Sequence, residues 1–145
     1  MAENVPQSFA NHARFDPLFH FFLIPVFVIS GIISIVLLVR HPSILAAWEV
    51  VFMAALVVAA FKIRLYSLKL QDRIIRLEER LRLSSLLPES SRTSISRLTE
   101  DQLIALRFAC DAEVPVLAER CVREKLPRKE VKRAIQTWRA DYWRI

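Results

Sequence analysis

Three histidines, two cysteines and a glutamate set inside an apolar run are the side chains of this chain best placed to do chemistry. Cys110 and Cys121 are eleven residues apart, with no Cys-x-x-Cys spacing. They therefore support no zinc or redox motif and read as small thiols in a reducing compartment. His20 stands among Phe19, Phe21 and Phe22. It could ligate a haem or pigment metal, or sit at a headgroup boundary. Glu49 is an acid in a lipid-like segment, the kind of residue that marks a proton or ion path. It lies only about 7–8 Å beyond Ile44 at helical rise. At that depth it can pair with Arg40 or His41, or reach water. Asp111 and Glu113 are close in sequence, but beside a helix start they read as partners of the helix dipole. No histidine follows residue 41, so no nucleophile has a base near it in sequence. Gly31 is the sole glycine, which excludes a glycine-rich phosphate cradle. No enzymatic activity, metal or cofactor is expected.

The elements that carry these residues are set by hydropathy. Apolar residues make up 54% of the 145, too many for an ordinary soluble domain. They concentrate early. "LFHFFLIPVFVISGIISIVLLV" (Leu18–Val39) spans about 33 Å as a helix, enough for a hydrocarbon core of roughly 30 Å. "ILAAWEVVFMAALVVAAF" (Ile44–Phe61) is at the short end of what can cross. "RHPS" between them leaves room only for a turn. A two-helix hairpin over 18–61 follows, with 1–17 as an N-terminal segment on the same side as the rest of the chain. Lys62, Arg64, Lys69, Arg73 and Arg76 follow the second span closely, whereas Arg40 stands alone in the turn. The excess of basic residues places both termini in the cytoplasm. Ser30, Gly31 and Ser34 give the first span a small-residue face, and Ala55 with Ala59 give one to the second. These faces pack within the hairpin or between protomers.

No proline or glycine interrupts the chain from Ile44 to Leu87, so the second span should continue as a stalk over 62–87. Leu70, Ile74, Leu77 and Leu81 form a two-heptad seam, with Arg73 and Glu78 at flanking positions of opposite charge. The seam suits self-association, packing on the chain's own C-terminal part, or a different protein. "SSLLPESSRTSISR" (Ser84–Arg97) contains a serine-rich break, read as a linker over 88–98. A small three-helix domain over 99–145 follows. Thr99 and Gln102 open its first helix with a capping box. The second runs from about Glu113 to Lys125. The third starts at Pro127, with Val131, Ala134, Ile135, Trp138 and Tyr142 as a buried stripe. Arg128, Lys129, Lys132, Arg133 and Arg139 make its other face basic. That face is a solvated one or a surface for anionic lipid, with nucleic acid the weaker choice.

Four stretches, "PQSFANHARFDPLFHFFLIP", "LKLQDRIIRLEERLRL", "LTEDQLIALRFACDAE" and "VKRAIQTWRADYWR", resemble a family of small bacterial membrane proteins known as a domain of unknown function. The resemblance covers essentially the whole chain and implies the same topology, with no activity to carry over. It implies Ser where this chain has Cys110, which speaks against a redox role there. It also draws attention to Asn11, His12, Arg14, Asp16 and Pro17, a polar block suited to capping the hairpin or meeting a partner. The expected protein is all-α and non-enzymatic: an oligomerising membrane scaffold or an accessory subunit of a larger membrane complex. A small homo-oligomeric channel using Glu49 is the alternative.

Overall fold

Helix starts and stops along the chain follow from identifiable side chains. The computed structural model describes residues 6–12 and 16–141; Arg14 and Tyr142, singled out above, lie outside that range. The protein is all-α among the described residues, apart from one isolated bridge between Ala109 and Trp138. It divides into two units, one of residues 16–69 and one of residues 6–12 with 70–141.

In the first unit, Asp16 serves the free N–H groups at the start of the first apolar helix. Its carboxylate accepts from the Phe19 N–H at 3.2 Å, and its carbonyl accepts from the His20 N–H at 3.0 Å. The helix is π-wound over Leu18–Leu23 and becomes α-helical as α1, Ile24–Arg40. Pro25 explains the change. It has no N–H for the carbonyl four residues back, and its ring crowds that turn, so the preceding backbone widens. After a turn at His41–Ser43, the Ser43 hydroxyl accepts the Ala46 N–H at 3.1 Å and begins α2, Ile44–Leu86. Both apolar helices are long and apolar enough to cross a membrane.

The expected small-residue faces divide. Ser34 is buried, and Ser30 and Gly31 are half-buried, in line with Phe27 and Leu38 on one stripe of α1. On α2, however, the sheltered stripe is Ala46, Val50, Met53, Val57 and Ala60, while Ala55 and Ala59 are exposed. As a contact inside the hairpin the expected alanine face of the second span is therefore corrected, which leaves packing between protomers as the alternative for it. The covered stripe falls on other positions, because larger side chains such as Met53 and Val57 occupy it.

The second unit is built around the last turns of α2. Ile75, Glu79 and Leu83, each four apart, are buried on one side of the helix. Leu87 continues into a core with Leu98, Leu103, Leu106, Phe108, Leu117 and Val131. The expected linker is instead a 3₁₀-helix, Glu89–Arg97, flanked by the buried Leu87 and Leu98. Its serines favour that winding: Ser94 and Ser96 donate to carbonyls three residues back, at 2.6 and 2.8 Å. Helix α3 is Glu100–Leu106, and the capping box at Thr99 and Gln102 is formed. Helix α4 is Val114–Glu124 and buries Val114, Leu117, Ala118 and Cys121. Lys125 ends it in the left-handed conformation, at φ 52°.

Helix α5 is shorter than its stripe predicts, ending at Ala134 after Arg128. Tertiary partners take over the backbone beyond it. The Glu113 carboxylate accepts the N–H groups of Gln136 and Thr137 at 2.9 and 3.1 Å. Cys110 N–H then donates to Thr137 O at 3.1 Å, and Arg139 N–H to Phe108 O at 2.6 Å. The extended chain brings Trp138 to 5.1 Å from the Phe108 ring, centroid to centroid. Glu113 is thus a backbone anchor as well as the N-cap residue of α4, standing at the helix start as its sequence position suggested.

Candidate functional site

The stalk seam is where sequence pattern and structure meet most sharply. Leu70, Ile74, Leu77 and Leu81 are 59, 50, 61 and 62% exposed. The flanking Arg73 and Glu78 are also exposed, and among the described residues neither enters an ion pair. The chain's own C-terminal part occupies the opposite side of α2, so the seam does not pack on it. An apolar row of this kind on a helix with one covered face is unusual for a lone monomer.

That opposite side is fixed by charge as well as by apolar burial. Glu79 is 4% exposed and accepts from Arg82 at 3.0 Å, with Arg139 3.8 Å away. Arg82 also donates to Asp111 at 2.6 and 2.7 Å and to the Ala109 carbonyl at 2.7 Å. Burial holds the Glu79 carboxyl above the usual carboxylate range, with the Arg82 and Arg139 guanidiniums pulling the other way. Arg76 adds an ion pair to Glu100. Glu78, one residue earlier, stands i,i+4 to Arg82, but the helix turns Glu79 inward and Arg82 joins that acid three residues on.

The basic face disperses once folded. Lys132 is the clear correction: it is only 8% exposed, packed at 5.3 Å over the Phe108 ring and 2.9 Å from His12. Arg128 reaches Asp101 at 3.5 Å, and Arg133 lies 5.4 Å over the Phe9 ring. Lys129, Arg133 and Arg139 remain exposed. The contact with His12 and Phe9 was not legible beforehand. Residues 6–12 dock on the C-terminal part, with Gln7 exchanging hydrogen bonds with the Asp141 backbone at 2.9 and 3.2 Å. The only sequence signal for this was the polar block at Asn11 and His12.

Within 16–69, Asp16 and Arg64 approach at 3.5 Å, Arg64 lies 5.7 Å over the Phe19 ring, and Phe19 meets Phe61 edge-on at 5.8 Å. These contacts join the two arms of the hairpin at its open end. His20, the haem candidate, places Nδ1 2.8 Å from the Asp16 carbonyl and so donates from that nitrogen. Glu49 is exposed on α2, and among the described residues it makes no ion pair with Arg40 or His41.

Cys121 is buried and Cys110 half-buried. Burial pushes the Cys121 thiol up to about 11. A cleft of about 440 Å³ lies where α4 ends, lined by Arg97, Lys125, Arg128 and Gln102 among others. Gln102 is committed there: its amide donates to the Cys121 and Leu126 carbonyls, each at 3.0 Å. Among the described residues no group of His, Cys, Asp and Glu could hold a metal ion.

A family model described as a family of unknown function (DUF6526) matches residues 1–145. No curated protein and no solved structure matches the chain.

Proposed function

This chain belongs to the DUF6526 family, and we propose that it is a non-enzymatic membrane scaffold whose copies associate side by side through the stalk. The observation that carries the proposal is the exposed Leu70–Ile74–Leu77–Leu81 row, set opposite a face already covered by the chain's own core. A second copy fits the row better than a stranger does. In a parallel pair, Arg73 of one copy faces Glu78 of the other, so the flanking charges complement themselves. Two heptads are short for a free coiled coil, but anchoring in one membrane raises the local concentration of the partner helix.

The proposed setting is a bacterial inner membrane, crossed twice, with both termini in the cytoplasm. Docking of residues 6–12 onto the C-terminal part supports same-sided ends, and the basic residues after the second span support the cytoplasmic side. The test is the native mass of the protein extracted in mild detergent. A stable multiple of 16.8 kDa that collapses to the monomer on Ile74→Ala with Leu77→Ala is expected. Other polypeptides at fixed ratio would instead make the chain an accessory subunit of a larger complex.

The exposure of Glu49, Ala55 and Ala59 favours a second reading, a small homo-oligomeric ion pathway. Conductance in liposomes lost on Glu49→Gln would establish it. A scaffold tolerates that change.

A further inference from the structure

Helix ends converge on the cleft at the end of α4. The 3₁₀-helix stops at Arg97, α3 is capped by Thr99, α4 closes at Lys125, and α5 opens at Arg128. All four residues line the cleft, whose volume of about 440 Å³ is that of a small-molecule site. Its charged lining sets Arg97, Lys125 and Arg128 against one acid, Asp101, an excess of two positive charges.

The fold neutralises these cations poorly. Asp101 reaches Arg128 at 3.5 Å, the outer limit of a hydrogen bond. Among the described residues neither Arg97 nor Lys125 enters an ion pair. A concavity lined by one sign of charge focuses the field and concentrates counter-ions.

Lys125 is the most informative of the three. It stands in the left-handed region, φ 52° and ψ 42°, where a Cβ is crowded and glycine is at ease. The backbone on either side of it is pinned. The buried Gln102 amide donates to the Cys121 and Leu126 carbonyls, each at 3.0 Å. A lysine is thus held at a glycine-like position on a fixed turn beside the cleft. Thr99 adds a hydroxyl: its oxygen accepts the Gln102 N–H at 3.2 Å, which leaves its hydrogen for another acceptor.

We propose that this cleft binds a phosphate-bearing ligand, with Arg97, Lys125 and Arg128 holding the phosphate. A phosphate monoester carries about −1.5 to −2 charges at neutral pH, which matches the excess in the lining. A carboxylate supplies only one. Phosphate oxygens also suit the planar forks of two arginines, and the ammonium adds a compact point charge. A soluble phosphorylated molecule and a lipid headgroup share this chemistry.

The test is a calorimetric titration of the full-length protein in neutral detergent at fixed ionic strength. The probes are inorganic pyrophosphate and short-chain phosphatidic acid. Arg97→Gln should weaken binding by about tenfold, the loss of one charge-assisted contact. Lys125→Gly should weaken it as much while holding or raising the melting temperature, because glycine suits the left-handed backbone. Asp101→Asn removes the acid and releases Arg128, and should tighten binding severalfold. Arg80→Gln, exposed on α2 and outside the cleft, should change nothing. Pyrophosphate binding with these responses assigns the cleft to a soluble ligand; phosphatidic acid binding alone, with the same responses, assigns it to a lipid headgroup. Absence of saturable binding by both probes overturns the proposal. So does binding that Arg97→Gln or Lys125→Gly leaves unchanged, or that Arg80→Gln weakens equally.

Discussion

On α2 an apolar side chain faces out where an acid two residues later faces in: Leu77 is 61% exposed and Glu79 is 4% exposed. Two helical residues differ by about 200° around the axis, so opposite faces are geometrically required. The reversal of polarity is what needs a cause. Glu79 is tolerated inside because Arg82 and Arg139 meet it there.

That arrangement makes Arg82 the more sensitive partner. Arg82→Met leaves Glu79 buried opposite a distant Arg139, and strands Asp111 and the Ala109 carbonyl as well. Removing one member of a buried pair costs about 3–5 kcal/mol. Urea denaturation of the variant should show a loss of that order at pH 7, and Glu79→Gln added to it should recover a substantial part.

The pH dependence has a definite sign. Because burial raises the Glu79 carboxyl in the folded state, the folded state holds that proton more tightly than the unfolded chain does. Its contribution to stability is full below the ordinary carboxylate range and is lost as pH rises through the raised value. The native chain should therefore gain on Glu79→Gln as the medium is acidified, read as a rising difference in urea midpoint. Glu124 has the opposite sign. Hydrogen bonds from Arg123 and then Arg120 lower its carboxyl, so its contribution is present at neutral pH and is lost only in acid; solvent screening at the surface keeps it small.

Gly31 separates two ways of packing the hairpin. A Cβ added there meets nothing within 4 Å in the single chain. Gly31→Ala should leave detergent melting temperature and native mass unchanged or slightly raised, since alanine favours helix. A drop in native mass would place another copy against the Ser30–Ser34 face.

Gln102 is expected to be worth more than its surface neighbours. It accepts the Thr99 N–H at 3.0 Å and donates to two carbonyls near the end of α4. Gln102→Ala leaves these buried groups unmet, at about 1–3 kcal/mol. Urea denaturation would reveal it, and a loss under half a kilocalorie would show that water replaces the amide.

The two cysteines should react unequally. Cys121, buried and pushed up to about 11, stays a protonated thiol near neutrality and should resist iodoacetamide until the protein unfolds. Cys110 is half-buried and should alkylate first, as read by peptide mass.

The parts legible from sequence were those governed by local pattern. The two apolar helices, the uninterrupted run of α2, the capping box at Thr99 and the extent of α4 follow from hydropathy, proline placement and cap chemistry alone. What escaped depended on distant partners. Helix α5 stops at Ala134 because Glu113, Phe108 and Cys110 compete for the backbone beyond it, and nothing near residue 134 announces them. Lys132 read as part of a basic face, and the burial of Glu79 had no local signal, because each partner that shelters them is contributed by folding: Phe108 and His12 for one, Arg82 and Arg139 for the other. Ala55 and Ala59 show the same limit inside the hairpin, where the sheltered stripe of α2 runs through Met53 and Val57 instead.

The central claim, that a second copy covers the stalk seam, is most directly tested by cysteine pairing in native membranes. Single cysteines would be placed at Leu70, Ile74, Leu77 and Leu81, and at Asp72 on another face of α2, each in a Cys110→Ser background. Parallel, in-register association predicts efficient disulfide-linked dimers at the four seam positions and little at Asp72. Absence of dimers at the seam, or equal pairing at Asp72, would contradict it.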